Sequence, residues 1–542
     1  MAGCHEHEVS RLMIRSREDR VWISAGFFSL AGILLFVALA AAGLLAAAPE
    51  ASYPPLTYLW HLTAFTLWQA FLSTALSVAF AVPVALALAR RPSFPGRGFV
   101  VALMVLPLGL PVLPAVFGLV EIWGRQGLAN DALVWFGAPR LSIYGLSGIL
   151  IAHVFFNLPL AVRFLLTGLD ATPRDEWRLA ASLGFSRLSL FRFVEGPALL
   201  KALPGATGLI FMLCMTSFTI ILTLGGGPAT STLEVAIYQA LKFDFDPARA
   251  LALTLLQIVL TGFVFQVLRL APDVEHARST LSSRPFRPDA RGAWALGVDS
   301  VIILVFTLFV AAPLVAAASA GVRADLFRLV SDPLFHRALS ISLVIAISAG
   351  LLSTLLGYTL LQARRRFAPG SLARRSLGLT DFILLLPPLA LGAGWFVLTL
   401  RLGWVGVGAP FAVIVINALM AMPFVARALG PSLDSHVHRT EHLALSLGVT
   451  GWNRLRLIDW PALKTPLLTA LAFAMALSLG DLGAIALFGD DNFITLPALL
   501  YAKLGSYRGT DAAGLSLILG LVCLALMAPA LRSFSAEGAH HG

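Results

Sequence analysis

Long apolar runs alternate with short polar connections along the whole chain. A helix needs about 20 apolar residues to span the hydrocarbon core of a bilayer. Only structures whose backbone hydrogen bonds close internally survive there. The pattern predicts helices near 22–48, 64–89, 99–123, 145–167, 203–225 and 249–270. A second set is expected near 296–319, 338–362, 378–400, 408–429, 465–488 and 511–532. The expectation is an all-α membrane protein with about twelve transmembrane helices. The first run follows Arg11, Arg15, Arg17 and Arg20. It is much longer than the roughly 7–15 residues of a signal-peptide core, so it reads as an uncleaved first crossing.

Composition and charge support this reading. Apolar residues make up 58% of the chain and charged residues 13%, where soluble proteins carry about 25% charged residues. If both termini are placed in the cytoplasm, most Lys and Arg fall in cytoplasmic segments, as in Arg90-Arg91, Arg364-Arg365-Arg366 and Arg374-Arg375. That is the positive-inside bias. The net charge of +10 is therefore topological, and no nucleic acid is expected as a partner. The three cysteines, Cys4, Cys214 and Cys523, form no CxxC pair and suggest no disulfide framework.

The chain repeats itself at one constant offset. Pro159 falls on Pro423, Arg163 on Arg427, Leu169-Asp170 on Leu433-Asp434, and Pro197-Ala198-Leu199 on Pro461-Ala462-Leu463. Each repeat has an even number of crossings, so the two are parallel and related by an axis along the membrane normal, a natural place for a pathway. The expected division is a first repeat over 1–270, a polar cytoplasmic linker over 271–295 and a second repeat over 296–542.

Two long cytoplasmic loops occupy equivalent positions: EWRLAASLGFSRLSLFRFVEGPALL from Glu176, and EHLALSLGVTGWNRLRLIDWPALK from Glu441. Leu179, Leu183 and Leu188 recur at near-helical spacing, as do Leu443, Leu447 and Leu455, which suggests short amphipathic helices. Gly184 and Gly448 would break each helix in a left-handed turn. The small residues Ala180, Ala181 and Ala444 would permit close approach of a partner, and Pro197 and Pro461 close the motif at matching distances.

These loops resemble the EAA loops of binding-protein-dependent ABC importer permeases. The usual acidic residue is displaced: Arg178 and His442 stand at its place, with Glu176 and Glu441 nearby. The segments HVFFNLPLAVR, SLGDLGAIALFG and TLPALLYAKLGSYRGTDAA are similar to the fused permeases of bacterial thiamine importers, and fused ferric-iron permeases share the layout. The resemblance implies a type I ABC importer permease fold of two parallel six-helix repeats. It also implies coupling loops that dock on two copies of an ATP-binding subunit, and a periplasmic substrate-binding protein that delivers solute. The chain's four lysines, Lys201, Lys242, Lys464 and Lys503, never follow Gly, so it carries no P-loop of its own. No catalytic residue, metal or cofactor is expected here; ATP and Mg would belong to the partner ATPase, and the remaining contacts would be membrane lipid.

Candidate pathway residues are polar groups inside apolar runs. Asp481 is one, since charge there is expensive and functional by default. His153 and Asn157 lie one turn apart before Pro159, and Asn417 holds the place matching His153. Interhelical hydrogen bonding explains such residues equally well. Glu121 is expected to pair with Arg125, and Asp381 to favour a helix N-terminus. The Gly225-Gly226-Gly227-Pro228 turn and its counterpart Gly489-Asp490-Asp491 read as outer-face turns that meet the binding protein. His5, His7, His540 and His541 lie in polar tails with no ligand geometry. An ion-driven transporter would bury several acidic residues, and a membrane enzyme would need convergent acids, bases or ligands; neither pattern is present.

Overall fold

The computed structural model describes residues 2–46, 54–125, 127–269, 292–367, 371–377, 387–447, 449, 451–506 and 508–539. Among these there is no strand. The first half contains α1 (Ala2–Leu45), α2 (Leu56–Arg90), α3 (Arg97–Gly109), α4 (Val112–Trp123), α5 (Leu128–Trp135) and α6 (Leu146–Asp170). It continues through α7 (Arg174–Ser182), α8 (Arg187–Leu190), α9 (Gly196–Met215), α10 (Thr219–Leu224), α11 (Leu233–Lys242) and α12 (Pro247–Arg269). The second half has α13 (Ala293–Val322), α14 (Leu326–Ser331), α15 (Pro333–Arg364), α16 (Leu372–Ser376), α17 (Pro388–Leu402) and α18 (Val405–Ser446). It ends with α19 (Gly451–Arg454), α20 (Trp460–Leu479), α21 (Gly483–Phe488), α22 (Leu496–Gly505) and α23 (Gly509–Ala539).

Ten helical segments among the described residues are long and apolar enough to cross a membrane. The remaining two expected crossings are built differently. The third is split into α3 and α4 at Leu110-Pro111, where a proline removes the donor that a continuous helix needs. Of the ninth, only the short apolar α17 is described; Asp381 and the rest of 378–386 lie outside the described residues, as does most of the expected linker. The fifth and eleventh runs also break, α9 from α10 at Thr216–Phe218 and α20 from α21 at Gly480–Leu482. These two breaks fall at equivalent positions of the repeat.

The duplication extends to packing. In the first half α2, α6 and α9 pack together, and in the second α15, α18 and α20 do the same. The opening helix of each half lies against the other half: α1 against α15 and α17, and α13 against α2 and α4. Small residues make both swaps possible, as in membrane bundles generally. A methyl on Gly394 of α17 would overlap the Ala40 carbonyl of α1, and one on Gly118 of α4 would overlap the Pro313 carbonyl of α13. Ion pairs fix both swaps near the helix ends. Asp299 of α13, 2% exposed, accepts from Arg90 Nη2 at 2.8 Å and Arg91 Nε at 3.0 Å, while Asp19 of α1 accepts from Arg366 Nε at 2.7 Å.

Candidate functional site

The first long loop, from Arg174 to Gly196, folds around its own small core. α7 ends in a Schellman turn, in which Phe185 N–H reaches Ala180 O at 3.0 Å and Gly184 N–H reaches Ala181 O at 3.2 Å. Gly184 has φ of +65°, the left-handed conformation that such a turn needs. Ser186 then caps α8 by accepting the Ser189 N–H at 3.3 Å. Trp177, Ala180, Leu190 and Val194 are buried together, with Phe185 packed against them. Ala180 therefore gives its small size to this internal core. A π-helical turn, Phe191–Glu195, leads into α9, with Pro197 in its first turn.

Consolidating the core inward leaves an apolar surface outward. Leu179 is 59% exposed, Leu183 62%, Leu188 77% and Phe193 60%. Glu176, Gly184 and Pro197 are exposed beside them, with Ala181 half-buried. Arg178 pairs with Asp175 at 3.6 Å, both largely in solvent.

The second loop repeats this plan where it is described. α18 runs to Ser446, exposed Leu447 follows, and α19 leads to a second π-helical turn, Leu455–Asp459, at the same offset as the first. Pro461 lies in the first turn of α20, and Leu457 and Trp460 are exposed. Gly448 lies outside the described residues; Glu441 and Ala444 occupy the last turns of α18, their side chains outside the described set. π-Turns inside helices frequently mark functional sites, and sequence reading gave no hint of either one here.

The predicted pathway residues form two separate clusters. In the first half, Ser73 Oγ bonds His153 Nδ1 at 2.8 Å, and Asn157 Nδ2 donates to Cys214 Sγ at 3.2 Å. Both residues are buried between α2, α6 and α9. In the second half, Asn417 Nδ2 donates to Ser478 Oγ at 3.0 Å. Asp481 lies in the break between α20 and α21 and accepts the Gly483 and Ala484 N–H groups, each at 3.2 Å. It thus caps a half-helix inside a membrane-spanning run.

The two breaks face each other across the halves. A Cβ on Gly483 would stand 3.9 Å from the Phe218 ring, and Tyr238 packs edge-on to Phe218 at 5.3 Å. Further along, Lys242 Nζ donates to Gly489 O at 2.9 Å and Leu487 O at 3.4 Å, strapping α11 to the end of α21. Burial lowers the Lys242 pKa, and Asp490 opposes that shift. The Asp490 carboxylate turns the Gly489 loop by accepting the Asn492 and Phe493 N–H groups at 2.8 and 2.7 Å. Among the described residues no ion pair joins Glu121 to Arg125. Among the described residues no group of three His, Cys, Asp or Glu is placed to hold a metal.

Comparison with known proteins agrees with this duplication. The family model described as "Binding-protein-dependent transport system inner membrane component" matches twice, over residues 81–271 and 360–534. The thiamine transport system permease protein of Brucella abortus (strain 2308) is 48% identical over 87% of both chains. That of Salmonella typhimurium is 42% identical over 93% of this chain and 95% of its own. A putative 2-aminoethylphosphonate transport system permease protein of Salmonella typhi is 28% identical over 40% of this chain.

Proposed function

This chain belongs to the inner-membrane components of binding-protein-dependent transport systems, and on that premise we propose that it carries thiamine or its phosphate esters into the cytoplasm. Solute arrives at the outer mouth from a periplasmic binding protein. ATP is hydrolysed by two copies of a separate ATP-binding subunit, one at each cytoplasmic loop, and both termini are cytoplasmic. The units are the repeats 1–270 and 296–542, joined by a cytoplasmic linker. The observation that carries the coupling is the first loop: an element rigid enough to transmit force, with Leu179, Leu183, Leu188 and Phe193 exposed and Gly184 holding the turn. Thiamine as solute rests on the named activity of relatives that match nearly the whole chain.

Transport follows by alternating access. Nucleotide shifts the equilibrium only by binding inward- and outward-facing states with different affinity. Moving a population from 1:99 to 99:1 takes roughly 5.5 kcal/mol of such difference, within reach of two ATP. Asn417 and Asp481 at the second joint, with His153 and Asn157 in the first-half cluster, are the polar groups proposed to meet the pathway as the halves separate. The test is uptake of labelled thiamine by cells with and without the chain, repeated in vesicles with and without ATP. Loss of ATP-dependent uptake with the chain supports the reading; unchanged uptake without it overturns it.

A further inference from the structure

The joint between α20 and α21 borders a crevice of ≈ 10 Å³, room for about one water-sized body. Its polar wall is Ser342, Asn417, Ser478, Asp481 and Thr495, and no Lys, Arg or His lines it. The Ser478 carbonyl can only accept, so the N–H side of the Asn417 amide faces it, at 3.3 Å. This leaves Asn417 Oδ1 buried with no protein partner, and the buried Thr495 Oγ1 has none either. Ser342 Oγ accepts the Leu496 N–H at 2.8 Å. Each Asp481 oxygen takes one backbone N–H and keeps acceptor capacity to spare. The wall is thus rich in acceptors and contains one carboxyl group.

The first half provides an internal comparison. Thr66 matches Ser342, since its hydroxyl accepts the Leu233 N–H at the start of α11 just as Ser342 accepts that of Leu496 at the start of α22. By the repeat, Cys214 stands for Ser478 and Ser217 for Asp481. There the Gln69 amide donates to Cys214 O at 2.9 Å and Thr66 O at 3.1 Å. Three residues after Ser342, as Gln69 is three after Thr66, the second half has Ile345, so its joint lacks the amide; orphaned buried acceptors occur in both halves, Gln69 Oε1 and Thr232 Oγ1 in the first, but Asp481 within the break belongs to the second alone.

We propose that this crevice binds one small monovalent cation of the size and charge of Na⁺. One carboxylate balances one positive charge, whereas a calcium ion takes 6–8 oxygens, commonly from several carboxylates. Broken membrane helices, with their free carbonyl ends, are the usual setting for such ions. The thiazolium ring of thiamine is far larger than the space. Bound there, the ion neutralises Asp481 and ties α15, α18 and α22 to the joint that meets the first half through Phe218. The site is independent of which solute is carried.

The test uses the full-length chain in lipid nanodiscs. Equilibrium binding of ²²Na⁺ and the melting temperature are measured in NaCl and in choline chloride at equal ionic strength. The expected result is saturable binding of one ion per chain and a melting temperature that rises with NaCl alone. Thr495→Val removes an oxygen that has no protein partner. It is expected to leave the sodium-free melting temperature unchanged and weaken ²²Na⁺ binding at least about tenfold; Asp481→Asn abolishes binding. The absence of saturable ²²Na⁺ binding overturns the proposal and leaves water or a proton as occupant. Binding unchanged in both variants overturns it too. Displacement of the ion by thiamine would assign the crevice to the substrate instead.

Discussion

Replacing Gly184 separates two ways in which the first long loop is read to work. At φ of +65°, an added Cβ meets nothing within 4 Å. Gly184→Ala therefore acts through backbone conformation alone, at roughly 1–2 kcal/mol for an L-residue in the left-handed region. A cost of that size changes the population of the native turn by about 5–30-fold. Gly184→Asn is expected to cost less, since Asn tolerates this conformation. Gly184→Trp adds the same backbone strain and places an indole beside exposed Leu183, where an ATP-binding subunit would dock. The assay is ATP-driven uptake and substrate-stimulated ATPase activity of the reconstituted importer, with membrane insertion checked separately. The expected order is wild type, Asn, Ala, then Trp, with Trp uncoupled and all four inserted normally. Wild-type uptake and ATPase assembly in Gly184→Trp would refute the docking role. Equal loss in Asn and Trp would refute the part assigned to the left-handed turn.

Other perturbations test the frame around this loop. Gly394→Leu forces α17 away from the Ala40 carbonyl of α1 and should lower the melting temperature by several degrees, with Gly118→Leu acting alike at the α4–α13 contact. Asp299→Ala leaves Arg90 and Arg91 without their nearly buried partner, so it should destabilise the chain more than Asp175→Ala, whose pair with Arg178 is solvent-exposed; thermal unfolding compares them. Lys242→Met removes the strap to Gly489 and Leu487 and is expected to raise the basal ATPase rate of the assembled importer, by loosening outer closure.

Much of this was legible because the bilayer writes strongly on sequence. Apolar run length located ten of the crossings, and matched Gly, Pro, Arg and Asp revealed the repeat. The Gly184 turn was readable because few residues other than glycine adopt that conformation. What stayed hidden depends on relations between distant segments. The runs 203–225 and 465–488 look continuous, yet both break, and only Asp481 hinted at it by placing a cap residue inside an apolar stretch. Ala180 was read as facing a partner, but packing against Trp177 turns it inward. The π-turns have no compositional mark: FRFVE and LRLID share an arginine and a closing acid, recognisable only once the geometry is known.

The swapped first helices show that sequence units and packing units differ. Within a bilayer, apolar surface alone does not hold helices together; close packing, small residues and polar contacts do. α1 makes all of these contacts with the second half. Ser29 bonds Thr359 at 2.9 Å, the Trp395 indole donates to Phe36 O at 3.2 Å, and the two rings stack at 4.7 Å. Asp19 adds its ion pair to Arg366. Sliding α1 with its own repeat would break these contacts together, at a crossing so close that a methyl on either Gly43 or Gly394 would overlap the other helix's backbone. Lys242 and the Phe218–Gly483 approach also join the two halves at their breaks, within a wider packing of α11 against α17 and α21. When the halves move relative to one another, α1 is therefore expected to stay with the second half, whereas α13 packs against both α4 of the first half and α23 of its own.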